Sequence, residues 1–260
     1  MDRAAMTRTP PAPISSGAST LAAWCLLAAL GAPAAARASM PSFDQVRASH
    51  RSSDVVLLDR HGAPVQAVRV ELRARRGAWV PLGAISPAMR AAAIASEDRR
   101  FPSHAGVDWP AVAGAAIGRV DAGGTRGAST ITMQLAGLLD AGLSPSRGGR
   151  SMAAKVEQAA AALRIERRWT KGQILEAWLN LVPFRGELVG VEAMSQALFR
   201  KAPSGLNAEE SAIAAALLRA PNAAPAVVGR RACGVLRAQG RADACAAAQG
   251  FAELTLGRGD

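Results

Sequence analysis

The chain has 260 residues, half of them hydrophobic, and a formal charge of +11. That suits one domain of moderate size, or one domain plus a tail, with a sizeable core. The positive excess is nearly all arginine, since lysine occurs only at Lys155, Lys171 and Lys201, and it implies an anionic partner: a lipid surface, a phosphorylated ligand or nucleic acid. With no tyrosine and no basic patch interleaved with stacking aromatics, the nucleic acid is not expected.

Residues 1–38 read as a targeting segment. Arg3 and Arg8 precede an apolar run, Leu21–Pro33, and Ala36-Arg37-Ala38 resembles an Ala-x-Ala cleavage site. The run is shorter than the about 20 residues a spanning helix needs. A cleaved signal peptide is the first reading and an uncleaved anchor the second, with residues 1–20 disordered. Either places the remainder outside the cytoplasm. Trp24 before Cys25 argues against a lipoprotein site. In an oxidising compartment Cys233 and Cys245 either pair or remain two separate thiols.

Asp54–Glu71 reads as a β-hairpin, with strands Val55–Leu58 and Val65–Leu72 around the turn Asp59–Pro64. Ser86-Pro87 starts a helix to Arg99, with serine as N-cap and proline at the first helical position. Asp108 caps a second helix, to about Val120. A Gly-rich loop, Asp121–Ala128, leads to a helix over Ser129–Leu139, with Ser129 as its cap. Asp140–Gly149 is another loop. Ser151–Arg168 is a long helix, and Thr170-Lys171-Gly172-Gln173 is a capping box for a helix to about Asn180. Gly190–Arg200 is helical, Asn207 caps a helix that ends before Pro221, and the Ala-rich tail Ala226–Phe251 is helical. The chain is therefore mainly α. No zinc-type spacing, Walker motif or dinucleotide glycine motif occurs.

Four stretches could carry chemistry. Ser96–Asp108 places Glu97 and Asp98 where an apolar helix gives way to a polar loop, with Phe101 and His104 close behind. A carboxylate beside apolar packing and an imidazole can serve as a general base; the plain alternative is a solvated helix end. Gly127–Gln134 opens a helix with adjacent hydroxyls, Ser129 and Thr130. Free N–H groups there suit a phosphate or sugar, while ordinary N-capping by Ser129 by itself explains the hydroxyl. Arg150 with Lys155 could meet a diphosphate or form a solvated helix face. Lys171–Asn180 has core spacing at Ile174, Leu175, Trp178 and Leu179, and an i, i+4 polar pair in Glu176 and Asn180; it reads as architecture.

Together these stretches resemble the peptidoglycan glycosyltransferases of glycosyltransferase family 51, over residues 45–225. The family's first motif, Glu-Asp-x-x-Phe-x-x-His-x-Gly, is complete as Glu97, Asp98, Phe101, His104 and Gly106. Gly127 through Gln134 matches the second motif, and Lys171-x-x-Ile174-Leu175-Glu176-x-x-Leu179-Asn180 a later one. Gly190-x-x-Ala193 and Leu217–Pro221 look like the family's later helices. The Met133-Gln134 form is most similar to type-1C penicillin-binding proteins. The third motif departs from the family: Lys155 keeps its lysine, but Ala154 stands for the usual arginine and Gln158 for the usual glutamate, which puts in doubt any metal that carboxylate would help hold.

The resemblance implies a mainly α, lysozyme-like domain with a small membrane-facing lobe, followed by the tail 226–260. It implies polymerisation of lipid II into β-1,4-linked strands with release of undecaprenyl diphosphate, and Glu97 as the base. Asp98, Phe101, His104, Ser129, Thr130, Gln134, Arg150, Lys155 and Gln158 are the implied substrate-binding residues. No cofactor is fixed; a divalent cation, Mg or Mn, is the candidate. The implied partners are lipid II, the nascent glycan strand, the inner-membrane surface and a separate transpeptidase, at the periplasmic face of the cytoplasmic membrane. No transpeptidase domain is expected, because no Ser-x-x-Lys occurs: Ser151 to Lys155 is one residue too long. A lysozyme-like glycan-cleaving enzyme and a non-catalytic cell-wall scaffold are the rival readings.

Overall fold

A computed structural model describes residues 40–116, 129–140, 143 and 152–257. The targeting segment, the Gly-rich loop before Ser129, most of the loop after Asp140, and Arg150 lie outside the described residues. In chain order the elements are α1 (Phe43–Ser49), β1 (Asp54–Leu58), β2 (Pro64–Arg69), β3 (Arg75–Arg76), α2 (Pro87–Glu97), α3 (Trp109–Ala116), α4 (Ile131–Leu139) and α5 (Met152–Glu166). They continue with α6 (Lys171–Leu181), β4 (Leu188–Val189), α7 (Val191–Phe199), α8 (Ala208–Arg219), α9 (Pro225–Ala238) and α10 (Cys245–Leu256). The mainly α expectation is met, and residues 40–257 lie in one compact unit.

Local chemistry explains most boundaries. Ser86 accepts from Ala88 N and Pro87 begins α2, while Thr170 and Asn207 form complete capping boxes for α6 and α8. Asp108 accepts from Ala111 N at the start of α3. Several boundaries differ from the sequence reading. Helix α2 stops at Glu97, two residues early, because Asp98 leaves helical geometry as its C-cap. The cap of α4 is Thr130, whose side chain accepts from Met133 N, and not Ser129. The tail is also two helices, α9 and α10, because the chain turns at Gln239–Arg241, where Gly240 has a φ of +77°. A disulfide joins Cys233 in α9 to Cys245 in α10.

The core is built around α6 and α8. Helix α6 buries every residue from Ile174 to Asn180, and α8 buries Ala208 and then Glu210 through Leu217. A helix apolar nearly all round belongs inside a domain, and α2, α9 and α10 pack against α8. The polar pair on α6 fastens the chain ahead of α2. Glu176 accepts from Trp79 Nε1 and Leu82 N, both at 2.7 Å. Asn180 accepts from Val80 N at 2.8 Å and donates to the carbonyls of Val80 and Glu176. Opposite this staple the chain passes Gly190 at a φ of +83°, where an added Cβ would lie 2.5 Å from the Asn180 carbonyl. Only glycine fits that conformation and that approach.

The hairpin is antiparallel, with Val55 opposite Val68 and Val56 opposite Ala67. β2 ends at Arg69 rather than Leu72, where Arg69 turns to pair with Glu187. Val55, Val56, Leu57, Leu58, Val65, Val68, Val70 and Leu72 remain between 41% and 74% exposed. A single two-stranded ribbon has no second layer to bury its apolar side chains.

Asn180→Ala strands the N–H and carbonyl of Val80, and each buried group left unpaired costs about 1–3 kcal/mol. The variant is expected to lose at least about 2 kcal/mol of unfolding free energy in a urea titration.

Candidate active site

The last turn of α2 delivers Glu97, and the backbone then leaves the helix so that Asp98 points elsewhere. Glu97 accepts from Gln134 Nε2 at 3.1 Å on one oxygen and lies 3.0 Å from Ser96 Oγ on the other. The Ser96 hydroxyl is also 3.2 Å from the carbonyl of Ala215 in α8, so its single proton is shared. Gln134, one turn into α4, accepts from Trp178 Nε1 at 3.2 Å. One orientation of the Gln134 amide satisfies both bonds: its oxygen faces the indole and its nitrogen the carboxylate. The Arg219 Nε lies 3.9 Å from Glu97 Oε1.

Only 9% of the Glu97 side chain is exposed. Burial pushes its pKa above the ordinary carboxylate value, and the Asp98 charge adds slightly; the bonds from Gln134 and Ser96 and the charge of Arg219 oppose the rise. A carboxyl held above its usual range, still ionisable and still reachable, has the character of a general base for work near neutral pH.

Asp98 ties the site together. Its carboxylate accepts from His104 Nε2 at 2.9 and 3.0 Å and from Ile131 N at 3.0 Å. His104 Nδ1 accepts from Gly106 N, which leaves the ring proton on Nε2 facing Asp98. Thr130 Oγ1 donates to the Gly106 carbonyl at 2.6 Å and accepts from Met133 N. Gly106, at a φ of +97°, lies so close to α5 that an added Cβ would sit 2.9 Å from the Ala162 carbonyl. Lys171 Nζ bonds the His104 carbonyl and Glu166, sits 4.4 Å above the Phe101 ring, and shares Glu166 with Thr132.

These contacts redistribute the residues that the sequence grouped as substrate-binding. The side chains of Asp98, Phe101, His104 and Thr130 are buried, and Asp98, His104 and Thr130 are hydrogen-bonded within the protein. At the N-terminus of α4, Asp98 and Thr130 accept from the N–H groups of Ile131 and Met133. Gln134 and Ser129 remain partly exposed, but the Ser129 hydroxyl oxygen is itself buried and has no partner. Lys155 is exposed on the first turn of α5, and Arg150 lies outside the described residues. Gln158 is 1% exposed, with both amide atoms unpaired. An added Cβ at Gly137 would lie 2.8 Å from its nitrogen. Sequence reasoning did not mark Ser96, Trp178 or Arg219 as site residues; Trp178 has core spacing, and the Arg219 contact spans more than a hundred positions.

A family profile described as Transglycosylase matches residues 61–239. A biosynthetic peptidoglycan transglycosylase of Rhodospirillum centenum is 41% identical over 164 residues, covering 62% of this chain and 68% of the relative. Proteins of the same name from Pasteurella multocida and a Marinomonas species are 41% and 40% identical over 143 residues, 55% of this chain and 56% and 61% of theirs.

Because burial raises the Glu97 pKa, the fold favours its protonated form, so that stability is present below the ordinary carboxylate range and is lost as pH rises through the Glu97 pKa. Glu97→Gln is therefore expected to melt at a higher temperature than the wild type at neutral and alkaline pH. The gain should vanish on acidification, as followed by circular dichroism.

Proposed function

Since the chain belongs to the transglycosylase family, we propose that it polymerises lipid II into β-1,4-linked glycan strands, with Glu97 as the general base. The observation that carries this reading is a largely buried carboxylate held by neutral donors, Gln134 and Ser96, at the end of α2. The acceptor's sugar hydroxyl attacks the anomeric carbon of the growing chain. Glu97 takes the hydroxyl proton as the new glycosidic bond forms, and the bond to the diphosphate breaks, releasing undecaprenyl diphosphate. In-line attack on an α-linked donor inverts the anomeric centre. The leaving group needs positive charge and hydrogen-bond donors. The exposed Lys155 is suited to it, with Ser129 and Arg150 following from the resemblance.

A protein-held Mg or Mn does not fit the residues present. Among the described residues no three metal-ligating side chains come together, and the neutral amide of Gln158 stands where the family's carboxylate would be. No step here is routed through a metal.

The membrane surface and the compartment belong to the same proposal. No helix among the described residues is long and apolar enough to cross a bilayer. The exposed valines and leucines of β1 and β2, with a formal charge of +11, suit the outer face of the cytoplasmic membrane, where the lipid substrate is presented in an anionic bilayer. In that setting a separate transpeptidase would cross-link the strands.

Wild-type protein incubated with purified lipid II is expected to give a ladder of glycan strands. Glu97→Gln should lower the rate by roughly 10²–10⁴-fold, the usual contribution of a positioned base. The acidic limb of the wild-type profile should lie above the range of an ordinary carboxylate, since Glu97 must be ionised to act. No ladder from the wild type, with or without added Mg²⁺, would sink the proposal. Shortening of preformed glycan on the same gel would favour a hydrolase instead.

A further inference from the structure

Helix α8 contributes more than core to the site. Its face toward α2 carries the Ala215 carbonyl, which meets the Ser96 hydroxyl, and one turn later Arg219, which meets Glu97. Residues four apart on a helix lie on one face, so a single surface of α8 meets both Glu97 and its neighbouring donor. The two partners differ in exposure: the Arg219 side chain is 36% exposed and the Glu97 side chain 9%. The guanidinium thus spans from solvent to the carboxylate. Its approach is also loose, at 3.9 Å from the oxygen that Ser96 already contacts at 3.0 Å. A tight bidentate pair would occupy the lone pairs that a base must present. At this separation the cation favours the anion without taking those lone pairs.

We infer that Arg219 is a positioning residue for Glu97, holding the carboxylate as an anion between Ser96 and Gln134. This rests on the reading of Glu97 as the base. Among the described residues the charged groups that bear on Glu97 are Arg219, from α8, and Asp98, from its own chain segment; α4 presents the neutral Gln134. Asp98 is turned away toward His104 and Ile131 N, and Arg219 is a cation that opposes burial at this carboxylate. Nothing in the local sequence marks this role, because Arg219 sits at an ordinary helix end, four residues after Ala215.

The test is the pH profile of lipid II polymerisation by wild type, Arg219→Gln and Arg219→Lys, with kcat and KM separated. Arg219→Gln is expected to lose kcat several-fold at about pH 5–6 and to approach the wild type at about pH 9, where the base is ionised without help. KM should change little, and Arg219→Lys should recover much of the loss. A rise in KM with an unmoved acidic limb would make Arg219 a substrate contact and overturn the inference. An equal loss of kcat at every pH with a lowered Tm would make it structural, and would also overturn it. Glu97→Gln separates the two layers: if that variant kept its activity, the base assignment itself would fall, whatever Arg219 does.

Discussion

The site depends on the carboxylate of Asp98. It sits at the junction of the residue that ends α2, the imidazole of His104 and the first N–H of α4, and it accepts from the last two. Because it fixes the start of α4 against the end of α2, Gln134 arrives one turn later within reach of Glu97. A carboxylate at a helix N-terminus is favourably placed against the helix dipole, and here that local preference also sets the distance between two helices. The adjacent acids Glu97 and Asp98 thus divide the work. Asp98 is saturated by partners within the protein. Glu97 is held by two neutral donors and keeps its basicity.

Around this junction lies a ring of paired side chains. Phe101 lies under Lys171, Lys171 ties the His104 carbonyl to Glu166, and Glu166 takes the hydroxyl of Thr132. Each group is paired within the protein, as buried polar groups must be. Among the described residues, Ser129 Oγ, both amide atoms of Gln158, Arg90 Nε and Ser211 Oγ lack partners, and the first two residues flank α4, the helix that carries Gln134. The opposite flank, α6, is closed by Glu176 and Asn180, which clamp the chain at Trp79–Leu82.

Elements whose signals are local were legible in the sequence. The capping boxes at Thr170 and Asn207, the Ser86-Pro87 start and the hairpin lie where short-range chemistry puts them. The ordered motifs singled out Glu97 and Gln134, and the fold brings the two side chains to 3.1 Å. The misreadings came from choices that neighbours do not decide. Ser129 and Thr130 are both good caps, and only the register of α4 against Asp98 selects the second. The alanine-rich tail carries helix propensity on both sides of Gly240, so composition alone did not locate the turn between α9 and α10. Arg219 beside Glu97 and Trp178 beneath Gln134 are contacts across the fold, which no window of sequence contains.

The bond between Cys233 and Cys245 has a consequence at a distance. It closes a short loop between α9 and α10, and α9 packs along α8, the helix whose last residue stands beside Glu97. A link across so few residues acts mainly on the unfolded chain, removing on the order of 3 kcal/mol of its freedom. It touches none of the side chains around the base. Its reduction would therefore lower the stability of the helical layer that backs Glu97 without altering any contact the carboxylate makes.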